Sequence, residues 1–145
     1  MRKLIAKTSA SIHAPVNKVW QALTDPELIK QYLFGTNAVS DWKEGSPITY
    51  SGEWEGKSYQ DKGEIVKILP EKLLHTTYLS SMSNKEDEPE NYADVIYEIE
   101  SQGNKSLLTI TQDNIENEEQ VEHMIQNWNT VLSGMKKLLE DGSAA

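Results

Sequence analysis

Three histidines, His13, His75 and His123, and four strand-borne carboxylates, Asp61, Glu64, Asp94 and Glu98, have the side-chain types that could hold a metal or move protons. A zinc site brings nitrogen and oxygen ligands to about 2.0–2.2 Å and is usually announced by a close pair such as HExxH. The histidines lie far apart in the chain, so each reads as a surface or internally satisfied ring, and no metal site is expected. The four carboxylates could pair across strands as acid and base. Facing solvent is the simpler reading. Nucleophiles are ordinary: there is no cysteine and no Gly-x-Ser-x-Gly elbow, and Ser51-Gly52 and Ser133-Gly134 fit structural needs. Gly56, Gly63 and Gly103 fall at turns or within strands and form no phosphate-cradling loop. The remaining acids cluster in EDEPE (Glu86 to Glu90) and ENEEQ (Glu116 to Gln120), which read as a solvated loop and a helix N-terminus.

The elements that must position these groups belong to one domain. A chain of 145 residues usually folds as a single unit burying about 68–70% of its unfolded surface. The domain is read as 1–145, with 142–145 as a frayed tail. With 23 acidic against 14 basic residues, the net charge of −9 repels nucleic acid and anionic lipid surfaces. No apolar stretch is long enough for an integral membrane segment or a signal peptide, so a cytoplasmic location is expected. The absence of cysteine agrees with a reducing compartment. No cofactor is implied.

Ile5 to Ile12 reads as a strand that Ala14-Pro15 breaks. Val16, Val19, Trp20 and Leu23 then recur at i, i+3, i+4 and i+7, the spacing of a buried helical face ending near Thr24. Asp25-Pro26 starts a second short helix, with the carboxylate as cap and proline at the first position. Leu28, Ile29, Tyr32 and Leu33 supply its apolar side, and Gly35 closes it. The period then becomes alternating. Strands are expected at Ile48 to Trp54, Tyr59 to Leu69, Lys72 to Ser80, Tyr92 to Glu100 and Ser106 to Asp113, with a shorter one near Val39 to Trp42. Glu55-Gly56, Pro70-Glu71 and Gly103-Asn104 are turns too short for crossover helices, so neighbouring strands pair antiparallel. Ser81 to Asn91 is an acidic excursion. Finally, Asn117 and Gln120 resemble a capping box before an apolar stripe of Val121, Met124, Ile125, Trp128, Val131, Leu132, Met135, Leu138 and Leu139. Lys136 and Lys137 suit the C-terminal end of this long helix, and Gly142 is its stop.

This order of elements resembles the helix-grip arrangement of the START-like, or Bet v 1-like (SRPBCC), superfamily. IHAPVNKVWQALTDPELIKQYL (Ile12 to Leu33) is similar to the opening of the family named for the activator of Hsp90 ATPase homologue 1, and GEIVKILPEKLLHTTY (Gly63 to Tyr78) to its central strand pair. NWNTVLSGMKKLLE (Asn127 to Glu140) resembles the closing helix, with Asn127-Trp128 where Gly-Trp is usual and Tyr32 where a tryptophan is common. The resemblance implies an α+β fold: a curved antiparallel sheet of six to seven strands gripping a long C-terminal helix, with two short helices after the first strand.

In such a fold, the space between sheet and helix is either packed solid or left as an apolar pocket. If Ile48 points inward, so do Tyr50, Gly52 and Trp54. The later inward sets are then Leu74, Thr76 and Tyr78; Val95, Tyr97 and Ile99; and Leu108, Ile110 and Gln112. Trp128, Leu132 and Met135 would face them from the helix. The expected lining is therefore Tyr50, Trp54, Thr76, Tyr78, Val95, Tyr97, Ile110, Gln112, Trp128, Leu132 and Met135. This assignment puts no Asp, Glu or His inside. A non-enzymatic binder of a hydrophobic or amphipathic small molecule, lipid-like or polycyclic aromatic, is the leading reading. A protein-interaction module like the Hsp90 activator domain, and a cyclase- or hydrolase-type enzyme on the same fold, stand as alternatives. The first leaves a protein partner open, and the oligomeric state is not fixed by the pattern.

Overall fold

A computed structural model describes residues 4–32, 35–54, 56–79, 86, 88 and 91–142, without the side chains of 54, 141 and 142. Leu33, most of the acidic excursion and the tail beyond 142 lie outside the described residues. In chain order the elements are β1 (Leu4–Ile12), α1 (Val16–Thr24), α2 (Pro26–Tyr32), β2 (Asn37–Ser40), β3 (Pro47–Trp54), β4 (Lys57–Leu69), β5 (Leu73–Tyr78), β6 (Ala93–Gln102), β7 (Lys105–Ile115) and α3 (Glu118–Gly142).

The seven strands form one antiparallel sheet in the order β1-β7-β6-β5-β4-β3-β2. β2 to β7 neighbour one another in chain order, and β1 closes against β7, which leaves β1 and β2 as the edges. The short strand ends at Ser40, not at Trp42 as the pattern implied. Trp42 adopts a left-handed φ of 58° and donates its N–H to Ser40 Oγ at 3.0 Å, which turns the chain out of the ladder. The meeting of β4 and β5 is irregular. β4 slips register against β5 between Ile65 and Lys67, and next to it a Cβ on Gly63 would lie 1.7 Å from the Thr77 carbonyl oxygen. No other residue type fits that crossing.

The helices are fixed by local chemistry. Asp25 Oδ1 accepts the Glu27 N–H at 3.0 Å, capping α2. Asn117 Oδ1 accepts the Gln120 N–H at 2.9 Å at the start of α3. Lys136 does not serve the C-terminal dipole: it pairs with Glu140 at 2.6 Å and donates to the Ser11 carbonyl at 3.2 Å. Glu140 in turn accepts the His13 backbone N–H at 2.8 Å. These contacts dock the far end of α3 on β1. Its buried face, Val131, Leu132, Met135 and Leu139, joins Ile12, Val19, Ala22, Leu23, Leu74, Leu108 and Ile110 in one core. At Gly134 α3 passes α2 with room for a methyl, since an added Cβ would lie 3.4 Å from the Tyr32 carbonyl oxygen.

Candidate binding site

The core fills only one end of the space under the sheet. Toward the N-terminal half of α3, the concave face and the helix separate around a cavity of about 690 Å³. Ladder pairings order its wall. Tyr50 opposes Asp61, Tyr78 opposes Ala93, and Thr76, Val95 and Gln112 form one row across β5, β6 and β7. Cross-strand partners share a face, so each row presents its side chains together. From the helix, Met124, Asn127, Trp128, Val131 and Met135 close the space, and Leu23, Ile29 and Tyr32 floor it from α1 and α2.

Of the residues expected to line the space, Tyr50, Thr76, Tyr78, Val95, Tyr97, Gln112, Trp128 and Met135 do so. Ile110 and Leu132 are buried in the packed core instead, beyond the point where sheet and helix separate. The side chain of Trp54 lies outside the described residues. The expectation that no acid or histidine enters the cavity is overturned: Asp61, Glu116 and His123 are on its wall. Asp61 was legible. Trp54 pairs with Lys57, which makes Gly52 oppose Tyr59 and Tyr50 oppose Asp61. If Tyr50 faces inward, so must Tyr59 and Asp61. Tyr59 lies over Gly52, whose added Cβ would sit 2.8 Å from its hydroxyl.

The polar groups of the wall are mostly paired. Tyr78 donates to Asp61 Oδ2 at 2.7 Å, Tyr32 to the Ala22 carbonyl at 2.8 Å, and Tyr59 is bonded to Thr36. The Trp128 indole N–H donates to Gln112 Oε1 at 2.9 Å. The same indole meets Tyr97 edge-on, with ring centroids 6.0 Å apart and planes at 86°. Among the described residues, the hydroxyls of Tyr50 and Tyr97 have no hydrogen-bond partner, and both residues line the cavity. Their rings lie deep in the protein although the cavity leaves them partly uncovered. Burial pushes the hydroxyls of Tyr32, Tyr50 and Tyr97 up, and Tyr50, Tyr32 and Tyr78 add to the effect at Tyr97. All three stay protonated at neutral pH. Among the described residues, no group of three or more His, Cys, Asp or Glu is arranged to hold a metal.

A seven-stranded antiparallel sheet gripping a long helix over an internal cavity defines the helix-grip class. The sequence profile of the Activator of Hsp90 ATPase homolog 1-like protein family matches residues 13–140, and the chain belongs to that family. Among solved structures it is similar to ChR145 from Cytophaga hutchinsonii, at 46% identity and a TM-score of 0.86 over 100% of this chain and 99% of that one. Two more distant likenesses show the fold alone. They are the Aha1 dimer from Colwellia psychrerythraea (20% identity, TM-score 0.74, 94% and 96% covered) and MLL2253 from Mesorhizobium loti (19%, 0.77, 95% and 98%). No curated protein matches the chain. Among the described residues, no helix is long and apolar enough to cross a membrane.

Proposed function

We propose that this protein binds a hydrophobic or amphipathic small molecule, lipid-like or polycyclic aromatic, between its sheet and α3, without transforming it. The observation that carries the reading is the cavity itself. At about 690 Å³ it falls within the range of roughly 300–1,000 Å³ of small-ligand sites. Apolar side chains floor it, and a few fixed polar groups are left to orient an occupant. Burial of ligand surface supplies affinity at about 25 cal/mol per Å², less the cost of ordering. Titration of the ¹⁵N-labelled chain with sterols, flavonoid-like compounds and long-chain lipids should move the amides of Tyr78, Val95, Tyr97 and Trp128 together. Saturating additions that leave all four in place sink the proposal.

The Asp61 and Tyr78 pair favours a second reading, an enzyme of acid–base type. A proton taken up at the Tyr78 hydroxyl oxygen has a carboxylate 2.7 Å away to receive the one already there. Mass spectrometry of a bound ligand before and after prolonged incubation separates the readings. Conversion that Asp61→Asn abolishes supports the enzyme, and an unchanged ligand supports the binder.

A further inference from the structure

The wall of the cavity is unequal in hydrogen-bonding character. Besides the Thr76 hydroxyl and the amide and imidazole groups on the first turns of α3, three groups line it with donor capacity to spare. Two are the hydroxyls of Tyr50 and Tyr97, which no atom of the described residues satisfies. The third is the Gln112 side chain. An indole N–H can only donate, so the contact from Trp128 fixes the Gln112 amide oxygen as the acceptor and leaves its NH₂ group as the available end.

Position along the cavity sharpens this. Asp61, Tyr78 and Ala93 lie in the row next to the first turns of α3, where Glu116, Gln120 and His123 mark the wetter end. Tyr97 lies further in: it opposes the core residues Leu74 and Ile110 on its two neighbouring strands. Tyr50 lines the same cavity from β3. Charge gives the last constraint. Among the described residues lining the cavity there is no Lys or Arg, whereas Asp61 and Glu116 are there. A ligand carboxylate pushed inward would lose its hydration and meet no cation.

We propose that the inner half of this cavity selects an uncharged hydrogen-bond acceptor on an apolar body, a ketone or quinone oxygen, held by the hydroxyls of Tyr50 and Tyr97, and disfavours carboxylates. This rests on the ligand-binding reading above and narrows it to a class. Three near-isosteric probes test it: 2-acetylnaphthalene, 2-isopropenylnaphthalene and 2-naphthoate, titrated at neutral pH into the protein and into Tyr50→Phe, Tyr97→Phe and the double variant. Two net hydrogen bonds should make the ketone bind about tenfold tighter than the alkene. The naphthoate should bind at least about tenfold more weakly than the ketone. In the double variant the ketone and alkene should converge to within about twofold, each single variant giving part of the loss, while alkene affinity holds. Naphthoate binding as well as the ketone, or a ketone preference that survives in the double variant, overturns the inference and leaves the binding reading standing. Failure of all three probes to bind removes both.

Discussion

Tyr78 on β5 donates its hydroxyl hydrogen to Asp61 on β4 at 2.7 Å, and both side chains stand on the wall of the cavity. The bond spans the part of the sheet where regular β4–β5 pairing has given way to the single bridge between Lys62 and Leu79. It therefore links two strands where backbone hydrogen bonds are few.

Removing the donor should be felt. Tyr78→Phe takes one hydrogen bond from a half-buried carboxylate and should lower stability by about 1 kcal/mol, seen as a reduced denaturant midpoint at unchanged slope. Asp61→Asn keeps an acceptor oxygen for the same hydroxyl and should cost less. Equal losses for the two variants would mean that the bond itself contributes little.

That pair also shows where the letters were sufficient and where they were not. Alternation placed Ile48, Leu74, Thr76, Val95 and Leu108 inside, and they are buried. The same alternation on β4, counted from the Trp54–Lys57 pair, leads from Tyr50 to Asp61. Treating the carboxylate by type, as a solvent-facing residue, hid that step. Other features have no local signature. Whether Ile110 packs solidly while Gln112, two residues on, borders open space depends on how far α3 stands from the sheet. That separation is set toward the other end of the helix, where Glu140 holds the His13 backbone. The slip between Ile65 and Lys67 likewise depends on a neighbour thirteen residues beyond Glu64, since the Glu64 N–H is taken by the Thr77 side chain at 2.9 Å.

The buried tyrosines should titrate as a class apart. The chain has 6 tyrosines, and burial raises the hydroxyls of Tyr32, Tyr50 and Tyr97 above their ordinary range. Their folded pKa exceeds the unfolded one, so the unfolded chain loses these protons first. The stability they contribute is full below about pH 10 and falls as pH rises beyond it. Tyrosinate absorbance followed upward from neutral pH should show these three silent until the protein unfolds. Smooth ionisation of all six near the ordinary value, with the fold intact by circular dichroism, contradicts the assignment.

Two glycines should respond in opposite directions to the same substitution. At Gly63 an added methyl meets the Thr77 carbonyl at 1.7 Å, and backbone cannot step aside cheaply. Gly63→Ala should cost about 3 kcal/mol or more. At Gly134 the nearest atom is 3.4 Å away, at the edge of ordinary contact. Helix propensity then dominates, and Gly134→Ala should raise stability by up to about 1 kcal/mol. Thermal melts of both variants, side by side, check the contrast.

At low pH the docking of α3 on β1 should weaken. The Lys136 ammonium bonded to Glu140, and then the His13 backbone N–H, hold that carboxyl below its usual range. Its folded pKa is depressed, so its contribution is present above the ordinary carboxylate pKa and disappears as pH falls through the folded value. Glu140→Gln should be less stable than the parent at neutral pH, with the difference closing below about pH 4. The group is near the surface, so added salt should shrink the gap. A difference that persists unchanged at acid pH argues that the carboxylate charge is irrelevant.

Filling the cavity should separate folding from binding. Val95 lies between Thr76 on β5 and Gln112 on β7, in the middle of the row that forms the cavity wall, and is 2% exposed. Val95 is itself almost fully covered, but the cavity it borders can take the extra ring, so Val95→Phe should cost no more than about 1 kcal/mol, the low end of the usual overpacking penalty. The same ring occupies volume that a ligand needs and stands beside the Trp128–Gln112 bond. Affinity for any compound held by the parent chain should drop by more than about tenfold. Calorimetric titration, paired with a melt on the same sample, gives both quantities. A variant that melts like the parent and binds like the parent would place the ligand outside the cavity, and would leave the open space under the sheet as nothing more than loose packing.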